Sequence, residues 1–119
     1  MRLVHRPASD ASAERVLATD LEVAETLWSR TLGLMFRRSI PDDYGLVFRF
    51  DSAKTRDLHM LCVPFSIDAV WIVDGEVTAV KRLRPWIGLG RARADMIVEL
   101  PAGAADGVEP GDSIEVVDA

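Results

Sequence analysis

The chain predicts a mostly β domain. Short apolar runs recur along its length, clusters of Gly, Pro and Asp separate them, and one stretch alone has helical spacing. Together these observations predict a single compact, barrel-like domain of short, mainly antiparallel strands with one or two short helices, an α+β fold dominated by β.

Leu3 and Val4 are followed by His5, Arg6, Pro7 and the small-polar run A-S-D-A-S-A-E, so residues 1–14 read as a loosely ordered or edge segment with a solvated His5. Val16 to Ala18 and Leu21 to Ala24 flank Thr19-Asp20, predicting two strands around a tight polar turn. Thr26 as N-cap and Gly33 as a left-handed stop bracket the stripe Leu27, Trp28, Thr31 and Leu32, which predicts a two-turn helix. Leu34, Met35 and Phe36 read as buried, and residues 41–45 as a turn. Strands are expected over 46–50 and, after a polar loop at 51–55, over 58–63, with Pro64 breaking the run. The largely apolar segment 67–73 predicts a second strand of the expected core, and Asp74-Gly75 a hairpin turn into a strand over 76–83. A loop from Pro85 through Gly90, strands over 96–100 and 113–117, and a turn over 102–107 complete the chain.

The composition bounds what such a domain does. At 119 residues it is one domain, 1–119, with 49% hydrophobic and 28% charged residues, and its formal charge is −5. An acidic chain lacks the basic surface that drives non-specific binding to nucleic acid or anionic membrane, so neither is expected as a partner. Cys62 is the single cysteine and excludes an intrachain disulfide. The first residues lack the apolar core of a signal peptide, and no apolar run is long enough to span a bilayer, so a soluble cytoplasmic protein is expected. Two distant histidines and one cysteine make no metal-ligand set, and G-L-G-R-A-R is not a dinucleotide fingerprint, so neither metal nor cofactor is expected.

Five residues are the candidate site: Arg30, Arg37, His59, Asp68 and Trp86. Asp68 enters the apolar run A-V-W-I-V, where a carboxylate needs a cation or several donors; Arg30, Arg37 and His59 are its expected partners. It reads either as an acid–base group in a pocket or as a structural brace. His59 and Cys62 lie three apart, which on a strand puts them on opposite faces and excludes a local nucleophile–base pair. Residues 81–93 hold Lys81, Arg82, Arg84, Arg91 and Arg93 around Trp86 without an acid, a local charge reversal suited to an anionic ligand or an acidic partner.

Three blocks resemble domain-of-unknown-function family 192: Arg30 with Gly33-Leu34-Met35-Phe36-Arg37, then His59 leading to Pro64-Phe65-Ser66-Ile67-Asp68, then Pro85-Trp86 followed by Glu99-Leu100-Pro101-Ala102-Gly103 and Pro110-Gly111-Asp112. The resemblance covers about residues 20–117 and implies a compact, β-rich, barrel-like fold with a short helix, without implying an activity. Met60 stands where many members carry threonine. The reading that follows is a small non-enzymatic binding or accessory domain with a polar pocket for a small anionic ligand. A hydrolase-like enzyme using His59 and Asp68 as an acid–base pair, and a structural protein-interaction module, are the alternatives.

Overall fold

The computed structural model describes residues 1–24, 34, 35 and 37–118. The helix expected over 26–33 falls outside the described residues; among the described residues every regular element is a strand. The strands are β1 (Arg2–Arg6), β2 (Arg15–Ala18), β3 (Asp20–Ala24), β4 (Tyr44–His59), β5 (Ile67–Val73), β6 (Glu76–Leu83), β7 (Leu89–Pro101) and β8 (Ser113–Val117).

They form one sheet in the order β2-β1-β8-β6-β5-β7-β4-β3, antiparallel except for the β3–β4 pair. β2 and β3 are joined by Thr19 alone, yet they occupy opposite ends of that order. The sheet must therefore curl until its two edges approach, and the amides of Thr19 and Asp20 both donate to the Asp43 carbonyl at that seam. The expected hairpin between them does not form. The sheet also stays open, with β2 and β3 as unpaired edges, so the expected closed barrel is corrected to a curled open sheet.

β5 is apolar on both faces because both are covered. Ile67, Ala69 and Trp71 join one core with Leu46, Phe48, Leu83 and Ile97, capped by Leu34, Met60 and Val63. Val70 and Ile72 join a second core with Val47 and Val98, covered by Leu3, Leu17, Ala105, Val108 and Ile114. That second core needs the N-terminal segment, which explains why β1 is an interior strand between β2 and β8 rather than a frayed end. His5, expected in solvent, is buried there and bonds Asp112 at 2.8 Å, with Arg15 Nε donating to its Nδ1. Burial pushes the Asp112 carboxyl up, but the amides of Ala8 and Glu109 and the His5 ring outweigh this and hold it below the ordinary range.

β4 and β7 are longer than the sequence suggests. β4 continues through the expected polar loop at 51–55 and ends at His59, and β7 begins at Leu89 rather than near Met96. Their register shifts between Arg49 and Lys54, and the outer halves, Lys54 to His59 against Leu89 to Ala94, form a two-stranded arm. The arm leans on Trp71. Ala92 and Ala94 share its core, a methyl at Gly90 would collide with the indole, and Trp71 Nε1 donates to the Arg56 carbonyl at 3.1 Å. Residues 60–63 are a turn, with Cys62 at φ 59°, so the strand expected over 58–63 stops at His59. The radius of gyration, 13.1 Å, matches the roughly 13 Å expected of one compact domain of this size.

Candidate functional site

Asp68 is a brace. It is buried on the face of β5 that carries the second core, and it accepts from Arg82 Nε at 2.8 Å and Nη2 at 3.4 Å. The amides of Gly103 and Ala105 donate at 2.9 and 3.0 Å to Oδ2, the oxygen that Arg82 Nη2 also reaches, which ties the 101–108 turn to the sheet and seats Ala105 and Val108 in the core. Arg82 in turn holds Asp106 at 2.9 Å.

Among the described residues the cation on Asp68 is therefore Arg82, not the expected Arg37 or His59. A plain two-residue hairpin at Asp74-Gly75, pairing Val73 with Glu76, would set Asp68 opposite Lys81. A bulge between Trp71 and Ile72 shifts the register by one residue, so Asp68 faces Arg82 and Lys81 faces Ala69 on the opposite side of the sheet. Thr78 lies at the shift, its hydroxyl within 3.1 Å of the Trp71 carbonyl and 2.6 Å of the Arg93 carbonyl.

His59 sits far from Asp68. The two oppose Leu89 and Leu100 of β7, at the two ends of that strand, which corresponds to roughly 35 Å along an extended chain. An acid–base pair between them is not what the fold assembles. His59 is exposed, and its Nδ1 accepts from the Leu61 amide at 3.3 Å, so the neutral ring carries its proton on Nε2.

Around His59 lies an open groove of about 550 Å³, lined by Asp57, Leu58, His59, Lys81, Leu89, Gly90 and Arg91. Its walls are the outer arm and β6. Lys81 Nζ donates to the Leu89 carbonyl at 2.6 Å, fixing the ammonium at the groove wall. Arg91 grips Asp57 through Nε at 2.5 Å and Nη2 at 3.1 Å; this bond holds the Asp57 carboxyl below its ordinary range and the guanidinium above its own. Both partners are exposed, so the pair orients Arg91 more than it stabilises the fold. A second hollow of about 270 Å³ adjoins, sharing Lys81 and Leu89 and adding Arg82, Arg84 and Ile87. Trp86 is exposed on the loop beside it.

Arg37 belongs to a different cluster. It donates to Glu22 at 2.9 Å and to the Tyr44 hydroxyl at 3.0 Å, and that hydroxyl donates to Glu22 at 2.6 Å. The Tyr44 bond, then the Arg37 bond, lower the Glu22 carboxyl, while burial raises the Tyr44 hydroxyl above its usual range. Glu99 lies beside Leu46 and Ala69 on the same face as Glu22, and burial pushes its carboxyl up to about 7 against the opposing field of Arg37. Arg30 falls outside the described residues.

Of the predicted site residues, the structure thus groups His59 with the Lys81–Arg93 run and sets Trp86 nearby, while Asp68 and Arg37 serve separate clusters. The sequence reading missed Glu99 and the groove positions Asp57, Leu58 and Leu89. The alternation G-R-A-R-A at 90–94 was the available sign of the arm, since period two is strand period. Among the described residues no group of three or more His, Cys, Asp or Glu is placed to hold a metal, and no helix is long and apolar enough to cross a membrane.

The described residues form an open, curled sheet of a small β domain, with a groove beside its two-stranded arm. Residues 8–116 match the uncharacterised conserved family DUF192, and the chain belongs to that family. No curated protein matches it. Among solved structures, a Sinorhizobium meliloti 1021 protein named as a candidate transcription regulator is similar at TM-score 0.83 and 26% identity, over 96% of this chain and 91% of that one. A Novosphingobium aromaticivorans DSM 12444 protein of unknown function is similar at TM-score 0.79 and 22% identity, over 98% of this chain and 84% of that one.

Proposed function

We propose that this protein is a non-enzymatic binding domain whose arm groove takes a small ligand with an anionic group and an apolar part. One observation carries the reading: in a chain of net charge −5, Lys81, which has no carboxylate partner among the described residues, and Arg91, held by Asp57, meet the His59 imidazole at a groove whose remaining walls are Leu58, Leu89 and Gly90. Cations at the rim would meet the anion, and the leucines would cover the apolar part. A role in transcription is suggested only by the name of the Sinorhizobium neighbour, and an acidic chain fits it less well, because nucleic-acid affinity rests on basic surface.

A thermal-shift screen with inorganic phosphate, alkyl phosphates and alkyl carboxylates tests this. At least one alkyl anion raises the melting temperature of the parent, and the Lys81→Ala/Arg91→Ala double variant loses that rise. If no anion shifts the parent, or the variant responds equally, the groove is not a ligand site.

A further inference from the structure

Beyond the groove, we infer that the loop end beside it docks on the surface of an anionic phospholipid bilayer. Leu61, Trp86, Ile87 and Leu89 are 59%, 59%, 70% and 66% exposed, and they make up most of the large apolar side chains left in solvent among the described residues. They come from two loops held together. The Met60 amide donates to the Gly88 carbonyl and the Trp86 amide to the Val63 carbonyl, each at 3.0 Å, so the two loops that carry these exposed side chains are joined side by side.

The backbone holds that end in a costly shape. Three described non-glycine residues have positive φ: Asp74, in a hairpin turn that favours it, and Cys62 and Trp86, one in each of these loops at 59° and 67°. Such strain persists where surrounding contacts enforce it and tends to mark functional sites. Here it presents Leu61 and the indole outward.

Charge selects the partner. Net charge alone argues against an anionic membrane, but this end differs from the whole: the 81–93 segment contains no acid, and although Arg82 and Arg91 are paired with Asp68, Asp106 and Asp57, Lys81 and Arg84 make no ion pair with a carboxylate among the described residues. The whole chain carries −5, so Lys81 and Arg84, without carboxylate partners, favour this end over the acidic remainder when the molecule meets an anionic plane. Protruding tryptophan, isoleucine and leucine with cations behind them suit insertion into the soft headgroup region, where indoles collect and basic side chains meet lipid phosphate. A folded protein partner would instead need a pocket for each projecting side chain.

Co-sedimentation of the full chain with phosphatidylglycerol/phosphatidylcholine vesicles decides it. The chain pellets with these vesicles at low salt, pellets less as salt rises, and stays in the supernatant with phosphatidylcholine alone. Leu61→Ser/Ile87→Ser weakens partitioning by about tenfold or more, as expected for apolar side chains leaving a buried environment; Arg84→Glu weakens it independently. Both residues of the double variant are exposed, so its melting temperature matches the parent's, and any rise with an alkyl anion persists in it, which separates this surface from the groove. Failure to pellet with phosphatidylglycerol vesicles at low salt, or equal pelleting of the double variant, overturns the inference. So does binding of an acidic protein without binding of vesicles.

Discussion

Replacing Glu99 with glutamine should change how stability depends on pH, in a direction opposite to ordinary acid denaturation. Glu99 is 7% exposed and flanked on the sheet by Leu46 and Ala69, and its carboxyl holds its proton to about 7 instead of the 4.5 ordinary for glutamate. In the unfolded chain the proton leaves near 4.5, whereas the folded protein keeps it to about 7, so between these values the native state binds more protons and stability falls as pH rises. The span of about 2.5 units corresponds to roughly 3 kcal/mol between the two ends of the window. Glutamine keeps the size and removes the charge, so Glu99→Gln flattens that fall and is the more stable form above pH 7. Removing the Arg37 guanidinium, whose field lowers the Glu99 value, moves the window upward. Glu22, Asp57 and Asp112 are shifted the other way, and their stability is lost below the ordinary carboxylate range, so they do not overlap this window. Urea unfolding followed by circular dichroism across the window is the assay. A parent whose stability is flat or rises from pH 4.5 to 7, or a Glu99→Gln variant with the parent's slope, refutes the reasoning.

Asp68→Asn removes the charge that holds Arg82 and puts an NH2 group in place of one carboxylate oxygen, so either Arg82 Nε or both the Gly103 and Ala105 amides lose their acceptor, which should cost about 2–4 kcal/mol in urea unfolding, with β content unchanged. An unchanged midpoint would show that the brace contributes nothing. Gly90→Ala forces the Trp71 indole aside and should cost about 1–3 kcal/mol, with a changed near-ultraviolet dichroism signal; a neutral result would mean the arm does not rest on the ring.

Much of this fold is legible in the sequence wherever a local signal sets the element. β5, β6 and β8 fall where period, turn residues and apolar content place them, because Asp74-Gly75 and Pro110-Gly111-Asp112 mark their boundaries. Non-local pairing is what escapes. Nothing in residues 1–14 announces that β1 lies between β2 and β8, since its burial depends on a core assembled from distant strands. The single residue between β2 and β3 reads locally as a turn, although it crosses from one sheet edge to the other. Asp68, entering an apolar run, reads as a carboxylate that needs donors, but its partner depends on a one-residue bulge that counting from the hairpin does not anticipate. The groove escaped for a similar reason: polar residues at 51–55 look like a loop until β7 pairs with them across the register shift and builds the arm. Glu99, in a short run rich in apolar residues before Pro101, resembles any strand glutamate until its face is known.

The central claim is that the arm groove is the binding site, and a backbone amide titration with a short alkyl phosphate, read by two-dimensional NMR, tests it most directly. The account predicts saturable shifts concentrated at His59, Lys81, Leu89, Gly90 and Arg91, with Asp68 and Gly103 unmoved. Shifts centred on the Asp68 brace or the Glu22–Arg37–Tyr44 cluster, or none at any concentration, would contradict it.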